Sequence, residues 1–141
     1  MAGMLRADDE LGGGPVSKPI LAVELVGTLA LATGPLHPCD PMPDPLPLEA
    51  VEGARSFLSR AAPIFEVRVT TVLAASDAGR RAVRAWLTDL AGEVAHEIRI
   101  MESAGFGAAV VLDGRAHPFE GSFPDPRELA AWHPWYGRSL G

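Results

Sequence analysis

The chain has little cysteine, little lysine and few aromatic residues. One of its 141 residues is cysteine, so no disulfide within the chain is possible and no paired-cysteine zinc spacing occurs. Lys18 is the single lysine and the formal net charge is −6. The chain therefore lacks a basic stripe for the phosphates of a nucleic acid or for an anionic membrane. We expect neither among its partners.

A long hydrophobic run is also missing. The most apolar stretch, residues 20–36, is interrupted by Glu24 and ends at Gly34 and Pro35. It falls short of the roughly 20 apolar residues that span a bilayer. Three acidic residues at positions 8–10 precede it, where a secretory signal carries positive charge. These features favour a buried strand and a cytoplasmic protein.

The remaining composition is that of one globular domain, with 48% hydrophobic and 21% charged residues. Residues 1–17 mix acidic residues with glycines and a proline, which predicts a disordered tail. Residues 18–141 then form the single domain. Prolines recur throughout residues 34–48 and predict an extended loop there.

Strand and helix patterns alternate along the domain. The apolar stretch at residues 19–26 predicts a strand, and helical spacing from Leu48 predicts a helix to about Ala62. The other predicted elements are strands over residues 65–73, 94–101 and 108–112, a helix between a cap at Ser76 or Asp77 and Gly92, and a helix over residues 125–132. This order predicts an α/β fold whose parallel sheet has helices on both faces, with chemistry at the carboxyl ends of its strands.

Four stretches resemble the haloacid dehalogenase-like hydrolases. Residues 18–29 read KPILAVELVGTL and are similar to the family's first motif, an apolar strand followed by DxDGT. Three later stretches are similar to small single-domain members from bacteria and phages: residues 65–71, FEVRVTT; residues 79–87, GRRAVRAWL; and residues 110–124, VVLDGRAHPFEGSFP. The resemblance spans roughly residues 18–136. It implies a three-layer, Rossmann-like fold without a large cap domain.

The resemblance also implies roles for individual residues. In that family one aspartate attacks phosphorus and a second moves the proton, and these positions fall on Glu24 and Val26. Hydroxyl groups that bind the phosphoryl oxygens fall on Thr28 and Thr71. Asp113 matches an acid that holds magnesium, so the implied metal ligands are Glu24 and Asp113.

Other positions depart from the family pattern. The usual acidic neighbour of Asp113 is replaced by Gly114, and the position of the family's lysine falls around Gly105. The nearest candidate cations are Arg99 and Arg115. Magnesium takes about six oxygen ligands, most of which would be water here. We therefore expect no cofactor, or weakly bound Mg²⁺.

Three functions stay open on these grounds. The preferred hypothesis is a catalytically degenerate phosphatase-like protein with a binding or assembly role, because Val26 has no proton to transfer. The second is a weak magnesium-dependent phosphohydrolase that uses Glu24 and Asp113. The third is a structural or oligomeric component whose proline loop and C-terminal aromatics contact a protein partner or a second copy.

Each candidate residue also has a purely structural interpretation. Glu24 would lie at the open end of its strand, solvated or paired with an arginine such as Arg115. Thr28 and Thr71 would bond to the backbone, and Asp113 would serve the turn that it forms with glycine.

Two further features of the sequence have structural interpretations. The segment His37-Pro-Cys39-Asp40 lacks the spacing of a metal site. The simplest role of the C-terminal aromatics is to pack the last helix onto the sheet; they are Phe119, Phe123, Trp132, Trp135 and Tyr136.

Overall fold

The computed structural model describes residues 17–36 and 42–136. The strands are β1 (Ile20–Glu24), β2 (Ala30–Ala32), β3 (Leu48–Ala50), β4 (Glu66–Thr70), β5 (Arg99–Met101) and β6 (Val110–Leu112). The helices are α1 (Ala54–Ala61), α2 (Asp77–Ala91) and α3 (Pro126–Ala131), with short 3-10 helices at Val72–Ala75 and Gly92–Glu97. The predicted tail, apart from Ser17, and the segment around Cys39 lie outside these ranges.

Four of the strands form a parallel sheet in the described part of the chain, in the order β5, β4, β1, β6. Consecutive residues of β1, whose side chains point to opposite faces of the sheet, are buried, and this explains its nearly continuous apolar sequence. The other two, β2 and β3, pair antiparallel as a separate hairpin. The fold is thus α/β, with a parallel sheet flanked by helices and compatible with a Rossmann-like arrangement.

The hydrophobic core lies between β1, β4 and the two long helices. Val23 and Val69 are register partners on neighbouring strands, and both are fully buried. They belong to one cluster with Leu58 of α1 and with Val83 and Leu87 of α2. The amphipathic spacing of these helical residues is what fixes each helix against the sheet.

The boundaries of α2 confirm the sequence prediction. The Ser76 side chain accepts a hydrogen bond from the Gly79 amide at 3.0 Å, and Gly92 ends the helix with a φ of 66°. Gly79 itself has no space for a side chain, because a Cβ there would overlap the carbonyl of Leu73. The 3-10 turn before the helix is therefore packed directly onto its first turn.

The predicted helix from Leu48 is wrong in its first turn. Residues Leu48–Ala50 form β3, which pairs with β2, and α1 begins only at Ala54. The helical spacing of Leu48, Val51 and Ala54 therefore runs from β3 through the following turn to the start of α1. Likewise, residues 92–97 form a 3-10 helix and not the start of the strand predicted over 94–101.

The predicted packing of the C-terminal aromatics is also wrong. No residue of α3 is buried, and Phe119 and Phe123 are 60% and 90% exposed. The physical reason is that α3 has six residues and only a short apolar stretch, so it offers little area to a sheet. The apolar residues of the edge strand β6 are exposed as well.

Candidate binding site at the strand ends

The parallel register brings the carboxyl ends of β1, β4 and β6 to one edge of the sheet. Glu24 is the register partner of Thr70, and Val23 is the partner of Leu112. The residues that follow, Thr71 and Asp113, therefore flank Glu24. The structure places these three predicted site residues close together, as expected for strands that run in one direction.

Glu24 is the central group of this edge. It is 8% exposed, and its Oε2 atom accepts a hydrogen bond from the Arg115 guanidinium in an ion pair. Its Oε1 atom is buried and has no hydrogen-bond donor within residues 17–36 and 42–136. Gly27 leaves room for this atom, since a Cβ at that position would lie 3.1 Å from Oε1.

Burial raises the pKa of the Glu24 carboxyl above its ordinary value. The neighbouring Asp113 raises this pKa further, because a hydrogen bond between two carboxyl groups requires a proton and because two negative charges repel. The Arg115 guanidinium acts in the opposite direction. In turn, the hydrogen bond to Glu24 raises the pKa of Arg115. Asp113 and Arg115 therefore both act on the pKa of Glu24, in opposite directions.

Both threonines bond to the backbone. The Thr71 hydroxyl accepts from the Leu73 amide at 3.2 Å and begins the 3-10 turn after β4. The Thr28 hydroxyl accepts from the Gly114 amide at 2.8 Å and so ties the first loop to the turn after β6. Thr71 lines the pocket described below, whereas the bond of Thr28 is structural.

The cations of this edge differ from those that a phosphatase of the resembled family needs. Lys18 lies before β1, at the opposite end of the strand, and donates to the Ala62 carbonyl at 3.0 Å. Arg99 stands 4.0 Å from Glu66, the register partner of the first residue of β1. Of the two candidate arginines, only Arg115 reaches Glu24.

The turn after β6 has little room for a second acid. A Cβ on Gly114 would overlap the Gly27 carbonyl and lie 2.6 Å from Nε1 of Trp135. Asp113 accepts from the Arg115 amide at 2.8 Å, as a residue of a tight turn does. In the described ranges no group of three or more potential metal ligands occurs. With Arg115 bound to Glu24, the residues present do not fit a magnesium site.

A pocket of about 370 Å³ opens beside Glu24. Its polar lining comes from Glu24, Thr70, Thr71, Arg115 and Tyr136. Its apolar walls are Val26, Ala32, Leu36, Val72 and Leu73. Val26, which the sequence resemblance would match to a proton donor, is thus a wall residue.

Two aromatic residues of the C-terminal segment join the site, which sequence reasoning did not anticipate. The Trp135 indole donates to the Gly27 carbonyl at 2.7 Å, and Tyr136 packs edge-to-face against Trp135 at 5.7 Å. The Tyr136 ring would lie 3.4 Å from a Cβ on Gly27. Nothing in their sequence spacing links these residues to a loop more than 100 positions earlier, so only the fold could reveal the contact.

Comparison with protein-family models, curated proteins and solved structures finds no match to the chain. Among the described residues, no helix combines the length and the apolar character that crossing a membrane requires. The function is therefore argued from the residues of the site.

Proposed function

We propose that the chain is a haloacid dehalogenase-like domain that lacks a large cap domain and phosphatase activity and uses its strand-end pocket for binding. The observation that carries this proposal is the ion pair between Arg115 and Glu24 at the position of the family's nucleophile. The sheet order and the motif at residues 18–29 support the family assignment.

Phosphoryl transfer needs groups that act together, and most of them are absent from this pocket. A carboxylate that holds Arg115 is not free to attack phosphorus, and Val26 has no proton for the leaving group. General acid catalysis alone contributes about 10²–10⁴-fold in rate. Since the losses fall on residues that work as a unit, the chain keeps the shape of such a site without its chemistry.

Hydrolysis of an aryl phosphate with Mg²⁺ tests the absence of activity. The unmodified chain and Glu24→Gln are expected to give the same background rate. Metal-stimulated turnover that Glu24→Gln abolishes would instead establish the weak phosphohydrolase that uses Glu24 and Asp113.

The double variant Glu24→Asp with Val26→Asp tests whether the pocket is a former active site. A gain of turnover in this variant would support the decay of such a site.

A second candidate function, assembly, is favoured by the C-terminal surface. We define this surface by its exposed apolar residues, Phe106, Val110, Val111, Leu112, Phe119, Phe123 and Leu129. Phe119 and Phe123 pack against each other at 5.1 Å, and exposed apolar side chains that adjoin in this way occur at protein interfaces. A dimer by light scattering that Phe123→Ser dissociates would support assembly. The control is Ile64→Ser, at a 59% exposed residue outside this surface. A monomer at every concentration would exclude self-assembly.

A further inference from the structure

The two edge strands of the parallel sheet differ in charge. β5 carries Arg99, and the exposed acids Glu97 and Glu102 lie on either side of this strand. Charged side chains of this kind protect an edge strand against pairing with another chain. At the other edge, β6 (Val110–Leu112) contains no charged residue and no proline, and its three side chains are exposed. The β6 edge is therefore the one that is open to a further strand.

The backbone of β6 has a free hydrogen-bonding side within the described residues. The amide of Leu25, directly after β1, donates to the Thr70 carbonyl of β4 at 2.9 Å. Because backbone groups alternate in direction along a strand, those of Ala22 point the other way, toward β6. Ala22 lies opposite Val111 in the parallel register, so the residues before and after Val111 bond to Ala22. The N–H and C=O of Val111 then point away from β1, where no described strand lies.

A second copy of β6 matches this edge when the two strands run antiparallel. A pair centred on Val111 places this residue opposite its own copy, so that each N–H reaches the carbonyl of the other chain. Val110 then lies opposite Leu112, and Asp113 lies opposite Ala109. An in-register parallel pair would instead bring the two Asp113 carboxylates together, and like charges directly opposite are destabilising. The edge is therefore complementary to itself in hydrogen bonding, apolar character and charge, as a symmetric dimer requires.

We propose that β6 pairs antiparallel with β6 of a second copy of the chain and joins the two four-stranded sheets into one. This proposal rests on the assembly role given above as the second candidate function, and it names the partner and the contacting strand. A second copy supplies the same uncharged strand, whereas a charged peptide would find no opposite charge on β6. Three residues on each side bury less than the roughly 800 Å² per partner of a standard interface, so we expect a weak dimer that forms as the concentration rises.

Analytical ultracentrifugation of the full chain tests this pairing with two variants of the central residue. The unmodified chain is expected to shift from monomer to dimer as its concentration rises to the millimolar range. Val111→Lys and Val111→Glu are each expected to stay monomeric, because two like charges would lie directly opposite. An equimolar mixture of the two variants is expected to regain the dimer, since opposite charges then face each other. The control is Ile64→Lys, at an exposed residue before β4, which should associate like the unmodified chain.

Amide hydrogen exchange supplies a measurement that needs no variant. The Val111 amide is expected to exchange several-fold more slowly at high than at low protein concentration, because the pairing gives it an acceptor. The amides of α2, which bond within their helix, should keep the same rates. A Val111 amide whose exchange rate is independent of concentration would contradict the pairing, even if the variants failed to fold.

The outcomes separate this pairing from the broader assembly role. A dimer that Phe123→Ser dissociates and that both variants of Val111 leave intact would overturn the β6 contact while assembly stands. A chain that stays monomeric at every concentration would overturn both. Loss of the dimer in each variant of Val111 without recovery in the mixture would contradict the antiparallel register centred on this residue. The hydrolysis assay tests the absence of phosphatase activity independently of these results.

Discussion

Residues 20–98 and residues 99–136 are packed very differently. The buried hydrophobic residues of the described chain fall in the first region, between Leu21 and Ile98. In the second region no described residue is buried, and Phe106, Val111 and Phe123 are 104%, 57% and 90% exposed. The first region thus holds the buried hydrophobic core, and the second is joined to it through the strand pairs β4–β5 and β1–β6.

The candidate site draws on both regions, which explains its mixed character. Glu24 and Thr71 come from strands of the packed region, so their positions are fixed by the core. Arg115 and Tyr136 come from residues 99–136. Since no side chain there is buried, we expect local unfolding to cost less free energy in this region than in residues 20–98. The comparison indicates a rigid carboxyl group partnered by side chains that are able to adjust to a ligand.

The largest expected difference between the regions is that between two leucine truncations. Leu87→Ala removes a fully buried side chain of α2 and is expected to lower the free energy of unfolding by about 2–5 kcal/mol. Leu129→Ala, at a 43% exposed leucine of α3, is expected to change it by less than about 0.5 kcal/mol. Urea denaturation measures both. Equal losses would show that the second region is packed after all.

A smaller effect is expected where the two regions meet. Gly114→Ala places a Cβ against the Gly27 carbonyl and against the Trp135 indole. Overpacking of this kind costs about 1–3 kcal/mol. Gly34→Ala serves as the control, since Gly34 also lacks a positive φ and a Cβ at that position meets only Pro47, at an ordinary contact distance of 3.6 Å. An unfolding midpoint for Gly114→Ala no lower than that of the control would contradict the close approach.

Trp135→Phe tests the same contact between residues 99–136 and the loop at Gly27, with a smaller expected loss of stability. The change removes the indole donor of the 2.7 Å hydrogen bond to the Gly27 carbonyl and keeps an aromatic ring. The expected loss is about 0.5–1.5 kcal/mol. Amide hydrogen exchange should accelerate in residues 126–136 and stay unchanged in β1 and β4. Uniform acceleration across the chain would mean that the two regions unfold together.

The smallest effect is a pH dependence from Glu24. Because burial raises the pKa of its carboxyl, the folded state binds this proton more tightly than the unfolded state. The free energy of unfolding of the unmodified chain, compared with that of Glu24→Gln, is therefore expected to fall as the pH rises from about 4.5 through the raised pKa. Thermal melts of both proteins across that window measure the difference. A difference that grows in the other direction would contradict the burial of a weakly satisfied carboxyl group.

Much of the packed region could be predicted from the sequence because its patterns are local. The apolar run around Val23, the Ser76 cap and the Gly92 end of α2 each act within a few residues. The hairpin of β2 and β3 could not be predicted, because its strands lie on either side of the proline-rich stretch. The spacing of Leu48 and Val51 also continues into α1 and conceals the strand.

The candidate site could also be predicted only in part. Glu24 is the last residue of β1, and Thr71 and Asp113 directly follow β4 and β6, so a parallel sheet alone is enough to bring them together. Pairing of Glu24 with Arg115 was one interpretation of the sequence, and the structure has that pair. The contact of Trp135 with the Gly27 carbonyl depends on the path of the whole of residues 99–136, which no local sequence pattern encodes.

The pKa of the Glu24 carboxyl, followed by carbon NMR through a pH titration, tests the assembled site most directly. It is expected to lie above its ordinary value in the unmodified chain, to rise further in Arg115→Met and to fall in Asp113→Asn. These opposite responses require that all three side chains share one site. An ordinary pKa that neither substitution moves would contradict the account.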